Sequence, residues 1–389
     1  MDFRLTPEQL ERKKEFYRVC EELDKKKPAS YIGFESQFDN EEGWNFHRMC
    51  AKEFAKRGWL ALGWPKEYGG TGTMMDKVLF TEARGYYELP GSDIFGVAML
   101  APTLLAAGSE ELKKEFLPKI AAAEIMWCEL WSEPNAGSDL AMLQTTAIRK
   151  GDEFIVNGQK TWNTGAHFAD WAFGVYKSDP NGKKHHNLTF LLCDMKSKGI
   201  TVKGIPYMTG AHVYNEVYLD DVHIPSKYIV GQENEGWAVV NVLAGFERSN
   251  IDIVMGLVRG LEEIVEFCNA NNLSKDPLIR NRLGDIACSI EAVRTLSYYV
   301  ADQQNRNEMG LMDAAAVKIF SSELLEKYAQ IQSDILGPFG IVKSSPWAKM
   351  RGTAEYNYQA CFVPIVSMGT NEIQRNIIAW YGLGLPRMK

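Results

Sequence analysis

The sequence predicts an α+β protein in which an N-terminal helical domain, a middle antiparallel β domain and a C-terminal antiparallel four-helix bundle follow one another along the chain. Apolar residues recur every three or four positions from residue 6 to about residue 122, which is the spacing of amphipathic helices. Short apolar runs with a period of two and frequent turn residues replace that spacing up to about residue 240. The helical spacing then returns, and we place the three domains at residues 1–123, 124–238 and 239–389.

The N-terminal domain is predicted from two stretches with helical spacing, EEGWNFHRMCAKEFAKRGWLAL and MMDKVLFTEARGYYEL. The segment GWPKEYGGTG lies between them and contains glycine and proline, which break helices. We therefore expect separate helices on either side of this segment.

The middle domain is predicted to be a sheet from four short runs that turn residues separate: TTAIRKGDEFIVNGQ, WAFGVYKSDPNG, LTFLLCD and VYNEVYL. In the last run Val213, Asn215, Val217 and Leu219 alternate with polar or aromatic neighbours, so these four residues share one face of a strand. Such alternation is typical of antiparallel sheets with one solvated face. We expect a small barrel or sandwich.

The C-terminal domain is predicted from three long stretches with helical spacing, WAVVNVLAGFERSNIDIVMGLVRGLEEIVEFC, PLIRNRLGDIACSIEAVRTLSYYVADQ and AAAVKIFSSELLEKYAQIQSDIL. Long amphipathic helices of this kind usually form an antiparallel bundle. Neither a GxGxxG sequence after a strand nor a P-loop is present, so a nucleotide cofactor would have to be held in another way.

Composition argues against several classes of protein. The formal net charge of −7 is spread along the chain without a basic stripe, which argues against nucleic acid as a partner. No apolar run approaches the roughly 18 residues that would suggest a membrane span. The first 25 residues lack the apolar centre of a signal peptide, so we expect a cytoplasmic protein. The seven cysteines are scattered singly without CxxC or CxxH spacing, so we expect free thiols and no metal centre.

Two segments of the middle domain carry candidate functional residues. The first, WCELWSEPNAGSDLAMLQTT, fits a turn-rich connection in which Ser132 and Ser138 form local hydrogen bonds. The second, NGQKTWNTGAHFADW, places Trp162 and Thr164 two positions apart on one strand face. A tryptophan in a strand more often belongs to a core than to a cofactor site, so neither segment alone identifies a function.

Together, the motifs are more specific. The chain resembles the flavin-dependent acyl-CoA dehydrogenase family from about residue 5 to its end. Four segments carry this resemblance by their order and spacing: EPNAGSD, GQKTWNTGAHFADW, DDVHIPSKYIVGQENEGW and GTNEIQR. The segments GWPKEYGG, GAHFAD and GLPR resemble the subgroup that acts on bulky branched, aromatic or steroid side-chain thioesters. The resemblance implies the three-domain fold already predicted, with FAD between the β domain and the C-terminal helices. It also implies a homotetramer whose subunits share FAD, and an electron-transferring flavoprotein as electron acceptor.

The same resemblance assigns roles to individual residues. Trp131 and Ser132 would contact the flavin, and Ser138 would bind the pantetheine or phosphate end of CoA. Trp162 would cover the isoalloxazine, and Thr164 would hydrogen-bond its N5. The C-terminal cofactor contacts would come from Gly337, Thr370 and Glu372, although Glu372 also fits a first-turn acid that favours the helix dipole.

Two segments depart from the family pattern. Many members have an Arg-x-x-Phe-Gly segment that contacts FAD across the subunit interface, whereas this chain has NANNLSKDPLIRNRLGD, without such an arginine. The QIxGGxG segment that meets the adenine is SDILGPFG here, so that Asp334 replaces a glutamine while Gly337 is retained.

The catalytic base is the third departure. Removing the α-proton of a thioester needs a base, and a carboxylate in an apolar site can have its pKa raised toward working pH. In many family members a glutamate precedes the Gly-Thr sequence, but here that residue is Met368. Other members place the base on a C-terminal-domain helix before an arginine, and LAGFERSNID supplies Glu247 and Arg248 there. We predict Glu247 as the base and Arg248 as a substrate contact, against the alternative of a surface ion pair.

The predicted function is therefore α,β-dehydrogenation of an acyl-CoA thioester with a bulky branched, aromatic or cyclic acyl group. One alternative on the same scaffold is an enoyl-CoA reductase or a cyclic acyl-CoA dehydrogenase, in which Asp93 could serve as an added acid or base. Asp93 is more simply explained as a helix N-cap. Another alternative is a noncatalytic subunit of a mixed oligomer, which the loss of the usual glutamate favours and the retention of Glu247 opposes.

Overall fold

The computed structural model describes residues 4–245, 250–306, 308 and 310–387. The chain forms two compact units, which are described separately. The helical unit comprises Met1–Phe34, Gly72–Leu89 and Arg248–Lys389, and the mixed unit comprises Glu35–Thr71 and Pro90–Glu247. The domain boundaries after residues 123 and 238 stay predictions.

Helices and strands follow one another in the predicted order. The first helices are α1 (Pro7–Asp24), α2 (Ser36–Asp39), α3 (Glu41–Lys56), α4 (Met74–Tyr86), a π-helix (Ile94–Leu100), α5 (Ala101–Ala107) and α6 (Glu110–Ala121). The strands are β1 (Trp127–Leu130), β2 (Thr146–Lys150), β3 (Glu153–Lys160), β4 (Trp171–Lys177), β5 (Leu188–Asp194), β6 (Ile200–Gly204), β7 (Asn215–Pro225) and β8 (Ile229–Val230). The last helices are α7 (Gly236–Leu243), α8 (Ile251–Ala270), α9 (Pro277–Asn305), α10 (Leu311–Leu336), α11 (Thr353–Ala360), α12 (Val363–Val366), α13 (Asn371–Ile377) and a π-helix (Ile378–Gly382).

This order of helical, β and helical regions confirms the predicted fold class. None of the helices within the described ranges is long and apolar enough to cross a membrane.

The helical unit is built from long helices that pack through their apolar faces. Helices α8, α9 and α10 pack on one another, and α4 packs against α1, α8 and α9. Helices α8, α9 and α10 share a buried cluster that includes Val254, Leu257, Ile264, Ile286, Ile290, Val293, Leu324 and Tyr328. Their spacing along each helix follows the period of three and four on which the prediction rested.

The long stretch with helical spacing over residues 237–268 is not one continuous helix, because its described residues form two helices. Helix α7 ends at Leu243 with Ala244 as its C-cap, and α8 begins at Ile251. Asn250 precedes α8 with φ of +46°, a left-handed conformation that cannot continue a helix. The apolar spacing continued through this break, and it therefore hid the boundary.

The eight strands form two groups that meet at one residue pair. Strands β6, β7, β3 and β2 are antiparallel neighbours, as are β4, β5 and β8, and β1 pairs in parallel with β4. The pair Thr146–Lys177 links β2 to β4, also in parallel. One buried cluster draws on both groups, and it includes Leu130, Phe154, Val156, Tyr176, Leu191, Val217 and Ile224. The middle region is thus a mainly antiparallel sheet with a shared core, as predicted, although two of its pairings are parallel.

A bulge in β7 explains why the predicted alternation ends at Leu219. The predicted inward set continues through Asn215, Val217 and Leu219, which are buried. Between Leu219 and Val222 the register with β3 shifts, and Asp221 has φ of +47°. The extra residue moves the inward face to Val222 and Ile224.

Candidate functional site

The mixed unit brings two of the motif segments together. Trp131 and Ser132 follow the end of β1, and Trp162 and Thr164 follow the end of β3. The N–H of Thr161 donates to the carbonyl oxygen of Ser132 at 2.8 Å, which ties the two segments at the backbone. The structure therefore places these four predicted residues in one region.

Trp162 has an unusual backbone and an unusual exposure. Its φ is +63°, in the left-handed region, and 57% of its surface is exposed. A non-glycine residue in that region costs on the order of 1–3 kcal/mol, so neighbouring contacts must hold it there. Its indole meets the Tyr214 ring edge-on at 5.9 Å between centroids. The alternative that Trp162 is a core residue is wrong, and its exposed indole fits a platform for a flat ligand.

Trp131 carries an unsatisfied donor. Its Nε1 is buried and has no hydrogen-bond partner among the residues that the structure describes. Its ring meets Phe173 edge-on at 6.5 Å. A buried N–H without an acceptor costs about 1–3 kcal/mol, which a bound ligand with a suitable oxygen or nitrogen would recover.

A buried ion pair fixes the backbone of both segments. Lys160 and Glu133 are almost entirely buried, and Lys160 Nζ lies 2.9 Å from Glu133 Oε1. The same ammonium donates to the carbonyl oxygens of Trp131 at 3.0 Å and Val175 at 2.9 Å. Glu133 also accepts from the N–H of Thr145 at 2.9 Å. These bonds join the ends of β1, β3 and β4 beside Trp131 and Trp162.

Burial and charge act on this pair in opposite directions. Burial lowers the pKa of Lys160 to about 8, although Glu133 opposes that shift. Burial would raise the pKa of Glu133, but the Lys160 ammonium and the hydrogen bonds from Thr145 and Gln144 outweigh it and lower that pKa. The pair is therefore ionised at neutral pH and serves the structure rather than proton transfer.

Ser138 lies apart from this tied region. The turn from Glu133 to Ala136 closes with reciprocal backbone hydrogen bonds of 2.9 and 3.1 Å, and Ser138 follows it in an exposed bend. Its neighbour Asp139 accepts from Lys184 Nζ at 2.8 Å on the surface. The position suits a contact to an extended part of a ligand, and the role of Ser138 in binding CoA stays a prediction.

The C-terminal residues lie in the helical unit. Thr370 is the N-cap of α13, and its Oγ1 accepts from the N–H of Ile373 at 3.3 Å. Glu372 is exposed in the first turn of the same helix. Gly337 lies in another element, at the C-cap of α10, with φ of +55°. The structure brings Thr370 and Glu372 together at one helix terminus, and all three cofactor roles stay predictions.

Met368 sits in a strained turn immediately before α13. Its φ is +54° and that of Gly369 is +73°. The Gln374 side chain donates to the carbonyl oxygens of Met368 at 2.9 Å and of Gly369 at 3.4 Å. This turn presents a thioether where the family pattern has a carboxylate, so residue 368 cannot accept a proton.

A second buried lysine supports the turn. Lys318 Nζ donates to Asn371 Oδ1 at 2.7 Å and to the carbonyl oxygen of Ile365 at 3.0 Å. Asn371 in turn donates to Ser322 Oγ at 3.0 Å. Burial lowers the pKa of Lys318 to about 8, while Glu372 and Glu323 act in the raising direction. The segment from α12 to α13 is thus anchored on α10.

The departure at Asp334 has a partner in this chain. Arg282 of α9 lies 2.6 Å from Asp334 at an exposed position on α10. The aspartate that replaces the family glutamine therefore pairs with an arginine that lies outside the Arg-x-x-Phe-Gly pattern.

The predicted base and its neighbour cannot be placed. Glu247 and Arg248 lie outside the described residues, between the end of α7 and the start of α8. Their catalytic and substrate-binding roles stay predictions.

Asp93 is a structural residue in the first instance. Its carboxylate accepts from the N–H of Phe95 at 3.0 Å and from the N–H of Trp127 at 3.1 Å. It caps the π-helix Ile94–Leu100 and links that helix to β1. Burial raises the pKa of Asp93 to about 7, although these backbone donors oppose the shift. The N-cap interpretation is confirmed by these contacts.

Two supporting residues were missed by the sequence argument: Lys160 and Lys318. Lys160 continues the inward positions Phe154 and Val156 at a period of two, and a lysine on a buried face requires a partner. That signal was available. Lys318 lies within the apolar helix α10 and shares this signal, whereas its partner Asn371 is distant in sequence.

The residues of the mixed unit fit FAD. A flat exposed indole, a buried indole N–H without a partner and a nearby threonine are suited to an aromatic ring system with hydrogen-bonding atoms on its rim. Trp162 would cover the flavin ring, while Trp131, Ser132 and Thr164 would supply polar contacts.

Family models establish the class of protein. The models of acyl-CoA dehydrogenases match the chain in three parts, with the N-terminal domain at residues 11–124, the middle domain at residues 128–222 and the C-terminal domain at residues 234–381. The chain belongs to the acyl-CoA dehydrogenase family, a family of FAD-dependent oxidoreductases.

Individual relatives agree with this assignment. The chain is 32% identical to "Acyl-CoA dehydrogenase FadE26" of Mycobacterium tuberculosis over 88% of this chain and 89% of that protein. Among solved structures, it is similar to a chain of "Tcur3481-Tcur3483 steroid ACAD" with a TM-score of 0.91 and 29% identity. The match covers all of this chain and all of the matched chain. It is also similar to a chain in the crystal structure of the ChsE4-ChsE5 complex from Mycobacterium tuberculosis, with a TM-score of 0.88, 32% identity and complete coverage of this chain and of the matched chain.

Proposed function

We propose that this chain is an FAD-dependent dehydrogenase that converts a bulky branched or ring-bearing acyl-CoA thioester to the α,β-enoyl-CoA. Two features of the joined segments together carry this proposal. Trp162 is exposed with a strained backbone, and the Nε1 of Trp131 is buried without a hydrogen-bond partner among the described residues. Residues held in such conformations cluster at ligand sites, because binding repays the cost. Both residues belong to the motifs that resemble the flavin site of the family.

The proposed acyl group follows from the kind of relative. A solved structure that covers the whole chain is titled as a steroid ACAD. The subgroup motifs GWPKEYGG, GAHFAD and GLPR point to the same bulky substrates. We therefore propose a steroid side-chain or other ring-bearing thioester ahead of straight-chain esters.

The chain's own residues have separate roles in holding the cofactor, holding the substrate and transferring the proton. When bound, FAD would supply the acceptor for the hydride that leaves Cβ. Trp162 would cover the ring face, Trp131 and Thr164 would orient the ring through hydrogen bonds, and Ser138 would contact the CoA portion. Glu247 takes the α-proton, and Arg248 holds the substrate beside it. A general base in this role contributes on the order of 10²- to 10⁴-fold in rate.

The proposed partners are an electron-transferring flavoprotein and further copies of this chain in a homotetramer. Large apolar side chains stay exposed near the C-terminus of the helical unit, with Ile341 at 78%, Trp347 at 67% and Val366 at 63% of their surface. Exposed apolar surface of this kind is typical of interfaces between chains. Sedimentation of the flavin-loaded protein as a monomer would contradict the tetramer.

A second candidate is the noncatalytic subunit of a mixed oligomer. Met368 in place of the family glutamate favours it, and one solved relative is titled as a complex of two proteins. A single purified chain that binds FAD and turns over substrate would contradict this candidate.

The test is a substrate panel with flavin absorbance as the readout. The purified protein should be yellow, and its flavin should bleach under anaerobic conditions fastest with steroid, branched or aromatic acyl-CoA esters. Butyryl-CoA and octanoyl-CoA serve as straight-chain controls. A protein that binds no added FAD would contradict the proposed function, and faster bleaching with a straight-chain ester would contradict the proposed substrate class.

A further inference from the structure

The turn that carries Trp162 and Thr164 is held by the first residue of β7. The N–H of Asn163 donates to the carbonyl oxygen of Asn215 at 3.0 Å, and the Asn215 Nδ2 donates back to the carbonyl oxygen of Asn163 at 3.0 Å. Asn215 is completely buried. Its side chain and backbone therefore hydrogen-bond both backbone groups of Asn163, the residue between Trp162 and Thr164.

The orientation of the Asn215 amide follows from its surroundings. Its nitrogen faces two carbonyl oxygens, that of Asn163 and that of Val213 at 3.3 Å, and carbonyl oxygens only accept hydrogen bonds. Its Oδ1 faces His212 Nε2 at 2.9 Å. The same nitrogen lies 3.0 Å from His167 Nδ1, so its two hydrogens are shared among three acceptors, of which this ring nitrogen is one.

His167 must consequently be neutral in this arrangement. Its Nε2 lies 2.9 Å from the carbonyl oxygen of Phe38 and therefore carries the ring hydrogen. Protonation of Nδ1 would turn an N–H toward the amide donor of Asn215 and break that bond.

The charged and titratable neighbours of His167 are His212 and Asp39. The His212 ring stacks on the His167 ring at 4.0 Å between centroids. The backbone N–H of His212 donates to Asp39 Oδ1 at 2.8 Å. Burial lowers the pKa of His167 and His212 adds to that shift, while the Phe38 carbonyl, Asn215 and Asp39 oppose it. The neutral ring is the favoured form at neutral pH.

We propose that Asn215 and His167 are positioning residues that fix the Trp162–Thr164 turn for flavin binding, and that protonation of His167 loosens this turn. This inference rests on the proposed function, since it assumes that the turn faces FAD. His167 acts through Asn215, and Asn215 acts on the backbone on which both flavin-facing side chains depend.

Four variants test the positioning role. His167→Phe removes the acceptor, and Asn215→Asp removes the donors toward Asn163 and His167. His167→Asn is the rescue variant, because its Oδ1 can take the place of Nδ1. His223→Phe is the matched control, since His223 is exposed on the same strand and contacts Glu153 Oε1 at 3.0 Å.

The readouts are the dissociation constant for FAD, the visible circular dichroism of bound flavin and the flavin midpoint potential. His167→Phe and Asn215→Asp should weaken FAD binding on the order of tenfold, as expected for losing one buried hydrogen bond, and should change the flavin spectrum. His167→Asn and His223→Phe should stay near the parent.

The parent protein supplies a test that does not depend on the folding of a variant. Because burial lowers the pKa of His167, the pH must be taken below the usual titration range of histidine. Lowering it from about 7.5 to about 4.5 should change the flavin circular dichroism. His167→Asn should remove that change. A yellow parent whose flavin signal is constant over this range, or folded His167→Phe protein with parent-like FAD binding, would overturn this inference alone. A parent that binds no FAD would overturn the proposed function and this inference with it.

Discussion

Lys160 Nζ lies 2.9 Å from Glu133 Oε1, and both side chains are buried beside the segments that carry Trp131 and Trp162. A buried ion pair contributes little net stability compared with a well-packed apolar pair, but removing one partner leaves an uncompensated charge. The pair therefore acts mainly as a constraint on the two segments.

Lys160→Met should lower the free energy of unfolding by about 3–5 kcal/mol, because Glu133 stays buried and loses its counter-charge. The double variant Lys160→Met with Glu133→Gln should recover part of that loss, since no buried charge remains. Urea unfolding followed by circular dichroism measures both. The control is Lys177→Met, whose ammonium donates to Gln144 Oε1 at 2.9 Å on the surface. Equal losses for Lys160→Met and Lys177→Met would contradict the argument.

Asp93→Asn should change the pH dependence of stability. The pKa of Asp93 is raised from 3.8 to about 7 by burial, so the folded state holds its proton over a pH range in which the unfolded state has released it. Stability from this group is therefore present below pH 3.8 and is lost as the pH rises toward 7.

The measurement for Asp93 is the difference in unfolding free energy between parent and Asp93→Asn at several pH values between 4 and 7. The advantage of the parent should shrink steadily as the pH rises. The pH profile of flavin bleaching should keep its shape in the variant, because the contacts of Asp93 are to backbone N–H groups. A changed bleaching profile with an unchanged stability difference would favour the acid or base role in a cyclic acyl-CoA dehydrogenase.

Asn371→Ala should loosen the turn that contains Met368. The substitution removes the Asn371 acceptor of Lys318 and leaves the Ile365 carbonyl oxygen as its one acceptor among the described residues. The expected loss is about 1–3 kcal/mol in unfolding free energy, together with faster amide hydrogen exchange at residues 370–373. Asn376→Ala is the control, because Asn376 is exposed on the same helix. Exchange rates that match between the two variants would count against an anchoring role for Lys318 and Asn371.

Periodicity predicted most of the fold because each buried face repeats along its own element. The helix-to-strand-to-helix order follows from this, as does the inward face of β7 up to Leu219. The break between α7 and α8 was missed, since apolar spacing continues across it while the conformation of Asn250 interrupts the helix. The β7 bulge was missed for a similar reason, because the period of two says nothing about an inserted residue.

The candidate site was predictable only where its motifs are local. Trp131, Ser132, Trp162 and Thr164 lie in two short segments, and the structure joins these segments at Thr161 and Ser132. The supporting contacts join residues far apart in the chain, such as Asn215 with His167 or Lys318 with Asn371. Each of these residues has an ordinary local sequence, and only the tertiary fold pairs them.

The base is tested by two substitutions with opposite expectations. Glu247→Gln should keep FAD and still bind substrate, because the amide preserves shape and hydrogen-bonding capacity, while flavin bleaching should slow on the order of 10²- to 10⁴-fold. Met368→Leu should leave the bleaching rate within several-fold, since it exchanges apolar side chains of similar volume. Residue 368 has φ of +54°, and leucine bears the same backbone strain there as methionine, so the turn should keep its form. A Glu247→Gln enzyme that reacts at the parent rate, or a larger loss in Met368→Leu, would mean that Glu247 is not the base.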